Sequence, residues 1–213
     1  PYFGCAGAES AVFPALSNAE TITELAGEFR VGFPKAVDGE AAETAWLLGT
    51  PFFIQVIEGD GGSIQEVVAG LYDSAPEGIR RQDARWKGTI EAEAETVIAA
   101  VSGTSPEVTF FDLAKAVANA ARVVQKGGRI ALLTAASPDL GPGAQMLRAL
   151  DGPTGAKRLL EREKPDDWAA ALLWVFAAKR ASIFLASAYP DDVTEGMFAT
   201  PIRTPSEAQM HLI

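Results

Sequence analysis

The sequence predicts an α/β protein: a parallel-sheet βαβ domain over about residues 95–205, preceded by a smaller α+β segment that carries a β-hairpin. Three observations lead there. First, Thr96–Val101 (TVIAAV) and Arg129–Thr134 (RIALLT) are short apolar β-formers, and Thr109–Gln125 between them has helical spacing. Second, another apolar run, Ser182–Ser187 (SIFLAS), follows a further helical stretch. Third, Pro51–Glu58 and Ser63–Ala69 are β-branched runs on either side of Gly59-Asp-Gly-Gly62, a hairpin pattern.

Taken in order, Asn18–Leu25 can start a helix, and Glu28–Asp38, with Gly32 and Pro34, is read as loop. Gly39–Leu48 is expected to be a short helix that turns Trp46 and Leu47 inward. After the hairpin, Gly70–Gly78 is read as a connection. The domain boundary is placed inside it, giving 1–78 as the tail of an N-terminal α+β domain and 79–213 as the C-terminal α/β domain. Ile79–Glu95 is mixed, with Trp86 and Ile90 as candidate strand residues.

In the central helix Phe110, Leu113, Ala114, Val117, Ala121 and Val124 form an apolar stripe. Thr109 or Ser105 can cap its start, and Gly127 or Gly128 can take a left-handed position at its end. Asp112 and Lys115 fall in its first two turns, where the plain account is an i,i+3 surface ion pair. Ala135–Gly143 is a loop of small and kinked residues. Ala144–Leu150 reads as helix, then Gly155–Glu163, capped by Thr154 or Asp151, and then Trp168–Lys179 behind Pro165-Asp-Asp167. Val193–Ala199 and Pro201–Thr204 lead to a last helix beginning near Thr204-Pro-Ser-Glu207. In parallel sheets ligands gather beyond the carboxyl ends of the strands, so Ser102–Pro106 and Ala135–Gly143 are the expected binding loops.

Composition removes several classes of function. With 18 basic and 28 acidic residues the net charge is −10, and no basic run exists to neutralise a nucleic-acid backbone. Cys5 stands alone, which excludes an internal disulfide and a cysteine zinc site. No run of apolar residues is long enough to span a membrane and no signal peptide is visible, so a cytoplasmic setting is expected. His211, the single histidine, leaves no means of building a Ser-His-Asp triad or a multi-histidine metal site. Phosphate-binding and dinucleotide glycine motifs and G-x-S-x-G are absent. Asp60 among three glycines is read as a turn rather than a cation loop. The chain opens on Pro1 and stops at Ile213 soon after a helix start, so a piece of a longer protein is expected.

Several stretches resemble one family. Ala118-Asn-Ala-Ala-Arg-Val-Val-Gln-Lys-Gly-Gly-Arg-Ile-Ala-Leu-Leu-Thr134, with Ser137-Pro-Asp139 and Gly141, is similar to the C-terminal domain of the lactate racemase family, the nickel-pincer 2-hydroxyacid racemases and epimerases. Asp151-Gly-Pro-Thr-Gly-Ala-Lys157, Pro165-Asp-Asp-Trp168 and Met197-Phe-Ala-Thr-Pro201 follow in similar order. Phe53-Ile-Gln-Val-Ile57 with Gly70 resembles the family's hairpin, and Ser10–Ile22 the segment around its tether motif.

The resemblance implies two α/β domains with a site between them, a nickel-pincer nucleotide tethered to a lysine, and histidines that ligate nickel and shuttle the proton. It also implies a pocket lysine at Lys115 and a pocket tryptophan at Trp168. Three departures matter. The pocket glutamine is replaced by Asp112. The tether position, four residues before Pro14, is Ser10, whose hydroxyl cannot form the thioamide. No nickel-binding histidine stands near Gly27. The expected function is therefore a divergent isomerase whose cleft takes a small 2-hydroxy acid or similar carboxylate. The alternative is a non-catalytic small-anion-binding or interaction module on the same fold that has lost the tether.

Overall fold

The computed structural model describes residues 46–47, 49, 52–59, 63–71, 74–86, 88 and 90–212. The expectations for Ser10, Asn18–Leu25, Glu28–Asp38 and Asp60 lie outside these residues, as does the side chain of His211. The chain divides into two compact units, with the break between Ile90 and Glu91.

The first unit contains the expected hairpin. Strand β1 (Phe53–Glu58) pairs antiparallel with β2 (Ile64–Gly70), with a register shift at Ile57/Glu58. Helix α1 (Ala75–Trp86) lies against this ribbon. Gly78 is buried there, and an added Cβ would stand 1.8 Å from Gln55 Oε1, so glycine lets the helix approach β1. Glu77 accepts from Arg80 at 2.8 and 2.7 Å and from Arg81 at 2.6 Å, and Arg81 also reaches Glu66. Trp86 Nε1 donates to Glu58 O at 2.9 Å.

This helix corrects two expectations. Ala75–Gly78 is helix rather than connection, and Trp86 ends that helix rather than lying in a strand. Its apolar residues are few (Ala75, Ile79, Ala84 and Trp86), and i,i+3 and i,i+4 ion pairs add to it, so hydrophobic spacing gave little sign of it. Trp46 and Leu47 are helical but not turned inward, being 79% and 69% exposed.

The second unit is the expected parallel sheet. Strands β3 (Ala94–Val101), β4 (Val124–Thr134), β5 (Ser182–Ala186) and β6 (Ala199–Pro201) lie side by side in chain order, all parallel. The connections run through α2 (Phe110–Ala121), then α3 (Pro142–Leu147), α4 (Pro153–Glu163) and α5 (Trp168–Arg180), then α6 (Asp191–Gly196). Helix α7 (Pro205–Leu212) follows β6. Crossovers between parallel strands are right-handed, so strands added always on the same side put their helices on the same face. On that face Ile130, Leu132, Ile183 and Leu185 are buried; on the other, Ala131 and Phe184 are also buried, and only towards the edges do Ile98 and Leu133 reach solvent, at 66% and 40% exposed.

Helices α2 and α5 pack against each other as well as on the sheet. Small buried residues, among them Ala114, Ala121, Ala171 and Ala177, line these helices. Phe110 and Trp174 meet with ring centroids 5.5 Å apart. Trp174 is fully buried and its Nε1 donates to Met197 O at 2.6 Å, which ties α5 to the turn before β6.

The predicted glycine stop is also corrected. Helix α2 ends at Ala121 with Arg122 as a right-handed cap, and Lys126–Gly128 belong to β4. A Cβ on Gly128 would lie 2.5 Å from Glu95 O, so this glycine serves close strand approach, not a cap. Thr109, one of the two expected caps, does cap α2 in a reciprocal box with Asp112. Neither Thr154 nor Asp151 caps α4, whose N-cap is Gly152. Substituting Trp174→Phe should cost about 1–3 kcal/mol, read from the urea midpoint, because Met197 O would lose its buried donor.

Candidate functional site

The carboxyl ends of β3 and β4 finish level, with Val101 opposite Thr134, and the two expected loops start there. They are stitched together: Ser137 N donates to Ser105 Oγ at 3.1 Å, and Ala136 N donates to Thr134 Oγ1 at 3.1 Å. Tyr189, in the loop after β5, donates its buried hydroxyl to Pro138 O. Burial, and then the negative field of Asp139, push the Tyr189 phenol well above its ordinary value, so it remains a neutral donor.

Ala135–Gly143, a loop of small and kinked residues, was one of the two expected binding loops. The structure fills its space from within. Asp167 accepts from Gly143 N at 2.6 Å and from Ala144 N at 3.2 Å, capping α3 from a residue 24 positions away. Cβ atoms on Gly141 and Gly143 would stand 2.5 and 2.8 Å from its oxygens. The glycines thus make room for the protein's own carboxylate. Sequence reasoning missed this role of Asp167 because the residue caps a helix distant in the chain rather than its own.

Asp112 and Lys115 come together as spaced. Lys115 Nζ lies 2.9 Å from Asp112 Oδ1 and 4.9 Å from the centroid of the Phe111 ring. Asp112 also accepts from Thr109 N at 3.0 Å and Thr109 Oγ1 at 2.7 Å. Partial burial pushes its carboxyl up, but the bonds from Thr109 and Lys115 outweigh it and leave the pKa below the ordinary 3.8.

Trp168 begins α5 and is only 5% exposed. The cation over its ring is Lys164, 5.9 Å from the centroid, a residue that the sequence reading did not single out. Because Phe110 at the start of α2 meets Trp174, Trp168 lies six residues, roughly 9 Å of helix rise, nearer the end from which α5 starts. The structure therefore brings Asp112 and Lys115 into one cluster and gives Trp168 a different cationic neighbour.

The strand order never reverses, so this sheet lacks the switch point at which open α/β sheets usually form their crevice. A cavity of about 360 Å³ lies at the opposite, N-terminal edge of the strands, beside Lys179 and Thr200. Among the described residues no grouping of three or more His, Cys, Asp or Glu side chains is placed to hold a metal ion. Among the described residues no helix is long and apolar enough to cross a membrane.

No family model matches the sequence, and no curated protein matches it. The fold does have solved counterparts. The lactate racemase apoprotein from Thermoanaerobacterium thermosaccharolyticum is similar over 92% of this chain and 49% of its own, with a TM-score of 0.75 and 16% identity. A protein of Thermotoga maritima is similar over 81% of this chain and 48% of its own, with a TM-score of 0.54 and 10% identity. The chain thus spans about half the length of either structure, and the likeness is one of fold.

Two outcomes test this geometry. Asp167→Ala should lower stability by about 0.5–2 kcal/mol in denaturant titration, the usual loss for a helix cap. Asp112 contributes stability that is present above its unfolded pKa and lost as pH falls through the lower folded one. The difference in melting temperature between wild type and Asp112→Asn should therefore be present at neutral pH and shrink on acidification through that window.

Proposed function

We propose that the protein is a divergent relative of lactate racemase whose site, at the carboxyl-end rim of the parallel sheet, takes a small 2-hydroxy acid or similar carboxylate. The observation that carries this reading is the Asp112–Lys115 pair in the first turns of α2, on a chain whose fold resembles lactate racemase over 92% of its length. An ammonium has three N–H donors, and the Asp112 bond uses one, so Lys115 keeps donors for a ligand carboxylate without releasing its partner. Trp168 is the apolar wall assigned to the same rim.

Asp112 also sets a limit. Its negative charge beside Lys115 repels an incoming carboxylate, so binding is weaker than a lone lysine would give. The second reading, a non-catalytic binding module, is favoured by one residue: the hydroxyl of Ser10 cannot anchor the pincer by a thioamide. In either reading Lys115 holds the anion, and only the first predicts turnover.

The test uses L-lactate and other small 2-hydroxy acids. Each should raise the melting temperature of the protein, and Lys115→Ala should abolish the shift while the apo protein stays folded. Asp112→Gln should strengthen binding by about 1 kcal/mol, roughly fivefold, by removing the like charge. An unchanged shift in Lys115→Ala removes Lys115 from the site. Racemisation of L-lactate, followed by chiral chromatography with nickel present, separates the isomerase from the binding module.

A further inference from the structure

We infer that the cavity at the N-terminal edge of the parallel sheet is a second binding site, and that its ligand is a small organic phosphate. The cavity, of about 360 Å³, is of a size for a small metabolite. Its charged lining is all of one sign. Lys179 and Arg180 from the end of α5 border it and no carboxylate lines it, in a chain of net charge −10.

The two cations differ in kind. Arg180 is committed to the fold: Nε and Nη2 donate to Val124 O at 3.0 and 2.7 Å, and Nη2 pairs with Glu93 at 2.9 Å. Lys179 is exposed and has no ion-pair partner among the described residues. The fixed guanidinium thus shapes the wall, and the ammonium is left for a ligand.

Two hydroxyls join it. Thr200 pairs with Phe184, and Ser182 lies two residues before Phe184 on β5, so Ser182 and Thr200 fall on the same face of neighbouring strands. Both line the cavity. One ammonium and two hydroxyls make three donor side chains. A carboxylate can also accept three bonds, but its acceptor sites lie in one plane on a single charge; a phosphoryl group spreads its acceptors over three oxygens in a tetrahedral array and carries up to two negative charges, which suits donors arriving from separate elements.

Phe198 forms part of the wall and holds a left-handed backbone, φ 62°, that bulky residues rarely adopt. Gly127, also in the lining, is left-handed too, φ 80°, and the space where its Cβ would stand is open. The aromatic ring supplies an apolar surface for the organic part of the ligand. None of these residues belongs to the Lys115 cluster, so this site stands or falls separately from the one proposed at the carboxyl-end rim.

The experiment titrates the full chain with phenyl phosphate, inorganic phosphate and benzoate at low ionic strength, by calorimetry. Phenyl phosphate should bind saturably, inorganic phosphate more weakly, and benzoate weakest. Lys179→Ala should weaken phenyl phosphate about tenfold and Thr200→Val severalfold, while Lys115→Ala leaves it unchanged. Both altered positions are exposed, and unchanged melting temperatures of the apo variants will verify their folding. No saturable binding of phenyl phosphate below about 10 mM, or equal affinity in Lys179→Ala, overturns the site. Benzoate binding as tight as phenyl phosphate in the Lys115→Ala protein, where the carboxyl-end rim no longer competes, overturns the assignment of the ligand.

Discussion

The second unit depends on one apolar layer: the helix-side face of the parallel sheet, closed by α2 and α5. Ile130, Leu132, Ile183 and Leu185 contribute the sheet side, and Leu113, Val117, Leu172 and Val175 are buried on the helices. Alanines on α2 and α5 leave little side chain between packed elements. Phe110 and Trp174 fill the space that remains, and the indole N–H finds Met197 O. A buried indole without that acceptor would cost stability, so the turn before β6 is held where the core needs it.

The rim above this layer is organised by polar groups rather than by packing. Ser105, Asp167 and Tyr189 each reach across to the Ala135–Ala144 segment and bond its backbone. Arg203 binds Ser187 O, Tyr189 O and Asp191, which secures the loop after β5 in the same way. These bonds satisfy backbone groups that the sheet and helices leave open. Ser105 ties the loop that leads into α2, in whose first two turns Asp112 and Lys115 present their charges.

Wherever burial made a period, the sequence was readable. The stripe of α2 appears because one face of it is buried, the runs of β4 and β5 appear because successive residues on both of their faces are buried, and the hairpin appears through its β-branched residues on either side of a glycine turn. Helix α1 escaped because its apolar residues are few and it meets the ribbon through Gly78, which bears no side chain to count, and through polar bonds of Arg81 and Trp86. Gly127 and Gly128 look alike in the sequence as helix stops; only the distance to Glu95 O identifies Gly128 as a place where two strands meet closely. The same limit applies to the site. The Asp112–Lys115 pair is local and could be foreseen from an i,i+3 spacing, but the hold of Asp167 on Gly143 and the position of Lys164 over Trp168 need the tertiary fold. The two cations of the N-terminal edge, Lys179 and Arg180, read only as the basic end of a helix until the strands beside them are placed.

The strand order has a kinetic meaning as well. Each of β4, β5 and β6 joins directly beside the strand made just before it, so no position is held open for a later segment. Such a sheet can grow vectorially, in the direction in which a ribosome delivers it, with each closure spanning only the neighbouring helices. A doubly wound sheet must instead leave one side of its first strand waiting for segments synthesised later.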